Sequence, residues 1–116
     1  MNKPNHKALS FLGLAMRAGK LAIGDEGALK AVRSGQARLV VLAEDASDNT
    51  RKKFQDKCAH YNVDLVECFD RYELGAAIGK EARVLVAVVD AGFAQKIKSF
   101  LVKPSEVEPI EQSRQR

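Results

Sequence analysis

Two short apolar runs, Leu39-Val40-Val41-Leu42-Ala43 and Val84-Leu85-Val86-Ala87-Val88-Val89, constrain the fold of this chain more than any other feature. Neither alternates polar with apolar residues, so a strand built from either has no face to offer water and must be covered on both sides. Helical patterns surround them. From Asn5 to Ala18 the residues Ala8, Leu9, Phe11, Leu12, Leu14, Ala15 and Met16 wrap much of a helical wheel, which predicts a helix buried on more than one side. A short strand is expected at Lys20–Ile23, then a helix over Asp25–Ser34 with Ala28, Leu29 and Val32 inward, stopped by Gly35. Ser47-Asp48-Asn49 caps a helix over Thr50–Tyr61 whose inner face includes Phe54 and Cys58, and Val63–Cys68 reads as a further strand. Asp70-Arg71-Tyr72-Glu73 has the spacing of a capping box, opening a helix that Gly79 stops. Phe93, Ile97, Phe100 and Leu101 mark a last amphipathic helix before Pro104. Strands and helices alternate throughout, so the expected class is α/β: a three-layer α-β-α sandwich around a mixed, mostly buried sheet.

A chain of 116 residues supports one core, placed at residues 1–103, with 104–116 expected as a disordered tail. The formal charge is +4, and the excess is uneven. Pro104–Arg116 holds three glutamates against two arginines, leaving 17 basic and 12 acidic residues in the remainder. A small basic domain fits nucleic acid or another anionic partner. No apolar run approaches the length of a membrane span, and the polar Met1–Lys7 stretch lacks a secretory pattern, so a cytoplasmic protein with no membrane partner is expected. Cys58 and Cys68 are too far apart for a redox or zinc motif, and Cys58-Ala59-His60 has no second ligand pair. Reduced cysteines, no metal and no cofactor follow. There is no P-loop, no GxGxxG and no GxSxG elbow, and His6 and His60 stand beside no nucleophile. The expectation is therefore a non-enzyme with no catalytic residues and no small-molecule substrate.

The segment Gly24-Asp25-Glu26-Gly27-Ala28-Leu29-Lys30 places a glycine at the mouth of a helix. Such a start can sit against a nucleic-acid backbone, because the free N–H groups and the positive dipole end face outward. The local alternative is a capped helix with a Glu26–Lys30 pair, worth a few tenths of a kcal/mol. A second loop of similar character, Gly79-Lys80-Glu81-Ala82-Arg83, also precedes a buried strand. In an alternating sandwich the two can lie at one end and frame a groove with basic rims. Neither loop carries an aromatic residue, which disfavours stacking on single strands and suits a structured RNA backbone. The Arg51-Lys52-Lys53 run with Lys57 reads as a solvated helix face.

Taken together, Gly24 with Lys30, the strand Leu39–Ala43 with Glu44-Asp45, the segment Glu73–Gly79 and the strand Val84–Val89 resemble the kink-turn RNA-binding ribosomal proteins, the L7Ae/L30e family. Leu12–Lys20 and Ala43–Ser47 are similar to the bacterial YlxQ-type members. The resemblance spans Leu9–Leu101 and implies an α-β-α sandwich that binds RNA bent at tandem sheared G·A pairs. In that family the helix begins G-x-N-E-x-x-K; here Glu26 stands at the usual asparagine and Gly27 at the usual glutamate. Asparagine donates and accepts, whereas ionised Glu26 only accepts. Lys30 would donate to guanine O6 or N7. The family's second contact loop corresponds to Lys80, Glu81, Ala82 and Arg83, a more basic version than usual. The resemblance thus implies RNA contacts at Gly24, Asp25, Glu26, Gly27, Lys30, Arg33, Glu44, Lys80, Glu81, Ala82 and Arg83. It implies a structured RNA partner, a kink-turn or ribosomal RNA, and association with the ribosome. Two other readings stay open: an adaptor for proteins on the same fold, favoured by Glu26 and Gly27, and the RNA-recognition half of an enzyme working through a partner chain.

Overall fold

The computed structural model describes residues 5–101, so the expected tail at 104–116 lies outside the described residues. The order is α1 (Asn5–Arg17), β1 (Leu21–Ile23), α2 (Gly24–Arg33), β2 (Leu39–Leu42), α3 (Asp48–His60), β3 (Asp64–Glu67), α4 (Arg71–Ala77), β4 (Leu85–Val88) and α5 (Ala91–Leu101). The strands form one mixed sheet in the order β1-β4-β2-β3. β4 runs antiparallel to both β1 and β2, while β2 and β3 are parallel. The two unalternating runs are therefore the two central strands, and every residue of each is buried. This is what apolarity on both faces required.

The pleat divides those strands between two cores. Leu39, Val41, Val86 and Val88 face α1, α4 and α5, packing with Ala8, Leu12, Leu74, Ile78, Ala94 and Ile97. Val40, Leu42, Leu85 and Ala87 face α2 and α3, packing with Ala28, Ala31, Val32, Phe54 and Cys58. The three-layer sandwich is the result.

Caps and edges follow local chemistry. Ser47 Oγ accepts the Thr50 N–H at 3.1 Å, so α3 starts two residues before Thr50. Asp70 accepts from the Tyr72 and Glu73 amides while Glu73 accepts from the Asp70 amide, closing the expected capping box. β3 is an edge strand with charged ends: Asp64 pairs with Lys98, and Glu67 accepts from Arg51 Nε at 3.1 Å and Gln55 Nε2 at 2.8 Å. Charges at an edge discourage strand addition.

Three details depart from the sequence pattern. Leu14 is 41% exposed, because α1 meets α5 and α4 through Ala8, Leu12 and Ala15 and leaves Leu14 outside. Leu29 is only half-buried; Ala31 takes the inward position expected of it. Arg51 is not on a solvated face: its guanidinium turns back onto the β2–α3 loop and Glu67.

Gly75 shows a close approach that only glycine permits. A Cβ there would lie 1.7 Å from the Glu81 carbonyl oxygen, whereas one at Gly27 would meet nothing nearer than 3.9 Å. Gly75→Ala is expected to lower stability by about 1–3 kcal/mol, and Gly27→Ala to raise it by up to about 1 kcal/mol, both read from urea unfolding midpoints. A second prediction concerns acid. The Arg51 hydrogen bond, with Gln55 adding, holds the Glu67 carboxyl below its ordinary value of 4.5. A depressed carboxyl stabilises the fold above its unfolded value and loses that contribution as pH falls through it. Glu67→Gln should therefore flatten the decline of the unfolding midpoint below pH 4.5, visible in urea titrations.

Candidate RNA interface

The register of the sheet gathers the candidate residues. Ile23 lies opposite Val86 and Leu42 opposite Leu85, so the ends of β1 and β2 flank the start of β4. The helix α2 that follows β1, the loop that follows β2 and the loop that enters β4 therefore share one end of the sheet. Parallel β3 brings Cys68–Asp70 to the same end.

At the start of α2, Gly24 has φ +84°, a conformation that disfavours any side chain, and nothing lies within 4 Å of a Cβ built there. The residue before it, Ile23, gives no side-chain cap, so among the described residues no side chain caps the first-turn N–H groups. Asp25 and Glu26 are exposed on this first turn, where the dipole favours them as acids while they oppose an incoming anion. Gly27 rests against Ala22. Glu26 and Lys30 form no ion pair with each other or with any other described residue, which removes the simplest local reading of that spacing. With Leu29, Arg33 and Ser34 they line a shallow concavity on the outer side of the helix. Arg33 belongs to this face but lies roughly 14 Å along the axis from Gly24, since each helical residue rises about 1.5 Å.

The loop after β2 is held from two sides. Arg51 donates to the Glu44 carbonyl at 2.7 Å and the Ala46 carbonyl at 3.2 Å. Arg71 donates to the Asp45 carbonyl at 2.7 Å and to the Asp45 carboxylate at 3.2 Å, and its amide adds a bond to the same carboxylate at 3.0 Å. Glu44 itself donates its N–H to the Phe69 carbonyl at 2.8 Å, leaving its side chain exposed. Phe69 is buried with φ +68°, an unusual backbone for a bulky residue; burial of the ring and the bond from Glu44 hold it there.

The loop entering β4 is pinned along its length. The Lys80 amide donates to the Gly75 carbonyl at 2.9 Å, the Glu81 carbonyl lies over Gly75, and the Arg83 amide donates to the Arg71 carbonyl at 3.0 Å. Lys80 and Glu81 are exposed; Ala82 and Arg83 are half-buried. One Arg83 side-chain nitrogen donates to the Ala82 carbonyl at 2.8 Å, and its other donors meet no acceptor among the described residues. Arg51, Arg71 and Gly75 carry this architecture, and sequence reasoning missed all three as site residues. The signal for the arginines was faint: each stands near an acid that only the fold brings opposite.

Burial pushes the thiols of Cys58 and Cys68 up, to about 11 and about 12, which makes both poor nucleophiles. Among the described residues no His, Cys, Asp or Glu cluster could hold a metal, and no helix is long and apolar enough to cross a membrane.

An α-β-α sandwich with an open helix start beside a pinned loop is the structural class these features define. Residues 6–98 match the model of the ribosomal protein L7Ae/L30e/S12e/Gadd45 family. Over 91 residues the chain is 52% identical to the RNA-binding protein YlxQ of Bacillus subtilis, covering 78% of this chain and 91% of that protein. A solved structure of a Bacillus halodurans protein of unknown function superposes with a TM-score of 0.80 at 46% identity, covering 82% of this chain and 96% of that one. The Giardia lamblia 15.5kD RNA binding protein shares the fold at a TM-score of 0.70 and 20% identity, covering 86% and 92% of the two chains. The chain belongs to the L7Ae/L30e family, as a member of its bacterial YlxQ type.

The arginine clamp makes a local prediction. In Asp45→Ala the Arg71 amide loses its acceptor and should exchange hydrogen faster, while β2 and β4 amides stay protected. Both partners of the pair are partly exposed, so global stability should change by less than about 1 kcal/mol. Hydrogen-exchange NMR reads both outcomes.

Proposed function

We propose that this chain is a non-enzymatic, cytoplasmic RNA-binding protein, associated with the ribosome, that recognises a kink-turn or similarly bent RNA. One observation carries the reading: a single end of the sheet brings together the uncapped α2 start at Gly24 and the pinned, basic loop before β4. The relatives named as RNA-binding proteins support it. In this reading Gly24 and Gly27 leave room for close approach and Asp25 borders it. Glu26 and Lys30 meet the G·A region, where the carboxylate accepts from guanine N–H groups and the ammonium donates to O6 or N7. Arg33, Lys80 and Arg83 hold phosphates, while Glu44, Glu81 and Ala82 shape the groove between the two contact segments. An A-form duplex bent in this way presents base edges and phosphates together, and a fixed pair of segments suits such a shape.

A second reading, an adaptor for proteins, is favoured by Glu26, whose charge opposes phosphate at the helix start, and by Gly27, which has no side chain to contact a base. A gel shift separates the two. An intact kink-turn should bind, and the same RNA with Watson–Crick pairs in place of its G·A pairs should bind more weakly; binding of neither at moderate salt favours the adaptor.

The site itself is tested by two lysines. Lys30→Ala should weaken kink-turn binding by roughly tenfold or more, since one specific base contact is worth about 1–3 kcal/mol. Lys96→Ala should stay within about twofold, because Lys96 sits on α5, over the Phe100 ring on the opposite face of the sheet. Equal, small effects would count against this interface. Lys80→Ala should lower the slope of log affinity against log salt by about one.

A further inference from the structure

An open groove on the outer side of α1 lies apart from the candidate interface. Leu9, Ser10, Gly13, Leu14 and Arg17 line it with Ala77 of α4, around a volume of about 460 Å³. Its floor is set by Gly13, where a Cβ would lie 2.8 Å from the Ala77 carbonyl oxygen. Leu14 is 41% exposed, and Leu9 and Ala77 are half-buried, so the groove offers apolar surface to an occupant.

Charge frames it. At about 100° per residue, Lys7, Ser10, Leu14 and Arg17 fall within about 80° of one another on a single stripe of α1. Lys7 and Arg17, both exposed and in no ion pair among the described residues, mark its ends, about 15 Å apart along the helix axis. Neither α1 nor α5 contains an acid. The Lys7 ammonium lies 5.9 Å from the centre of the Phe100 ring, and Lys96 lies at the same distance from it. The stripe therefore begins beside the end of α5, where the described residues stop at Leu101.

The size of the groove limits what can fill it. A stable dimer buries about 800 Å² on each partner, far more than six lining residues supply. A segment tethered to the same chain needs no such area, because its effective concentration is millimolar. Beyond Leu101 the chain carries Glu106-Val107-Glu108-Pro109-Ile110-Glu111, two apolar residues among three carboxylates. At about 3.3 Å per extended residue, Glu106 can stand up to about 17 Å from Leu101, enough to meet Lys7. In the polyproline II conformation, Val107 and Ile110 share one face and Glu106 and Glu111 stand about 16 Å apart. That separation matches the distance from Lys7 to Arg17.

We propose that the α1 groove binds the chain's own segment Glu106–Glu111. Val107 and Ile110 cover Leu14, Glu106 pairs with Lys7, and Glu111 pairs with Arg17. This docked segment replaces the disordered tail expected from composition. It does not depend on the RNA-binding reading, since none of the groove residues belongs to that interface.

The chain has no tryptophan, so a single one reports on the segment. Full-length Ile110→Trp should emit at shorter wavelength than the same protein in urea, at every protein concentration. Adding Leu14→Asn should return the emission to that of a solvated indole. Arg17→Glu or Glu111→Arg alone should do so in part, and the two together should restore the shorter wavelength. A second measurement is free of the added ring. The Ser10, Gly13 and Arg17 amides of the unaltered protein should differ in NMR shift from those of the variant carrying Val107→Ser and Ile110→Ser. Identical shifts in those two proteins would overturn the proposal. So would an emission shift that grows with protein concentration, because it marks contact between copies.

Discussion

The antiparallel pairing of β2 with β4 organises this molecule. Leu39 to Leu42 lie opposite Val88 to Leu85, and the side chains of both strands are buried on both faces. Because pleated strands send successive residues to opposite sides, the same pairing supplies the floor of two cores at once. A slip of one residue would exchange the two sets, placing Val40 and Leu42 where α1, α4 and α5 have packed around Leu39 and Val41. Register is therefore held by packing on both sides. It also gathers the candidate site, since it places the end of β2 beside the start of β4, and β1 beside that.

At that end the backbone is unequally restrained. The β2–α3 loop has its carbonyls bound by Arg51 and Arg71, and the loop before β4 is tied to α4 through Gly75 and Arg71. Arg71 touches both loops and so sets their spacing. The α2 start, by contrast, has an uncapped helix end and a glycine in a left-handed conformation. Rigid loops beside free hydrogen-bond donors form a preorganised surface, in which little ordering has to accompany binding. Asp25 and Glu26 complicate this surface. They suit the helix but oppose phosphate, so in the proposed complex base edges meet Glu26 and Lys30 while phosphates lie near Arg33, Lys80 and Arg83.

Much of the fold was legible in the residues. The unalternating runs marked the central strands, Ser47 and the Asp70–Glu73 box marked two helix starts, and Gly24 marked the start of α2. Each is a local signal whose physics acts within a few residues. Helix α1 was harder: its wheel is apolar nearly all round, and nothing local says that Leu14 rather than Leu9 is left outside. Of the candidate site residues, Gly24, Lys30 and the Lys80–Arg83 loop were identifiable by spacing and resemblance. Arg51 and Arg71 were not, since the groups they bind lie 5 to 26 residues away along the chain.

By itself, then, the sequence determined the α/β class, the two strands that must be central, and the glycine that opens α2, because burial and backbone conformation are written in residue type and spacing. Only the tertiary structure decided that Arg51 and Arg71 would hold the loop after β2. It alone decided that Gly75 would seat the loop before β4. Those outcomes depend on hydrogen bonds and close contacts between different elements and loops, 5 to 26 residues apart in the chain. They follow from where the sheet sets the ends of its strands, which residue type and spacing do not encode.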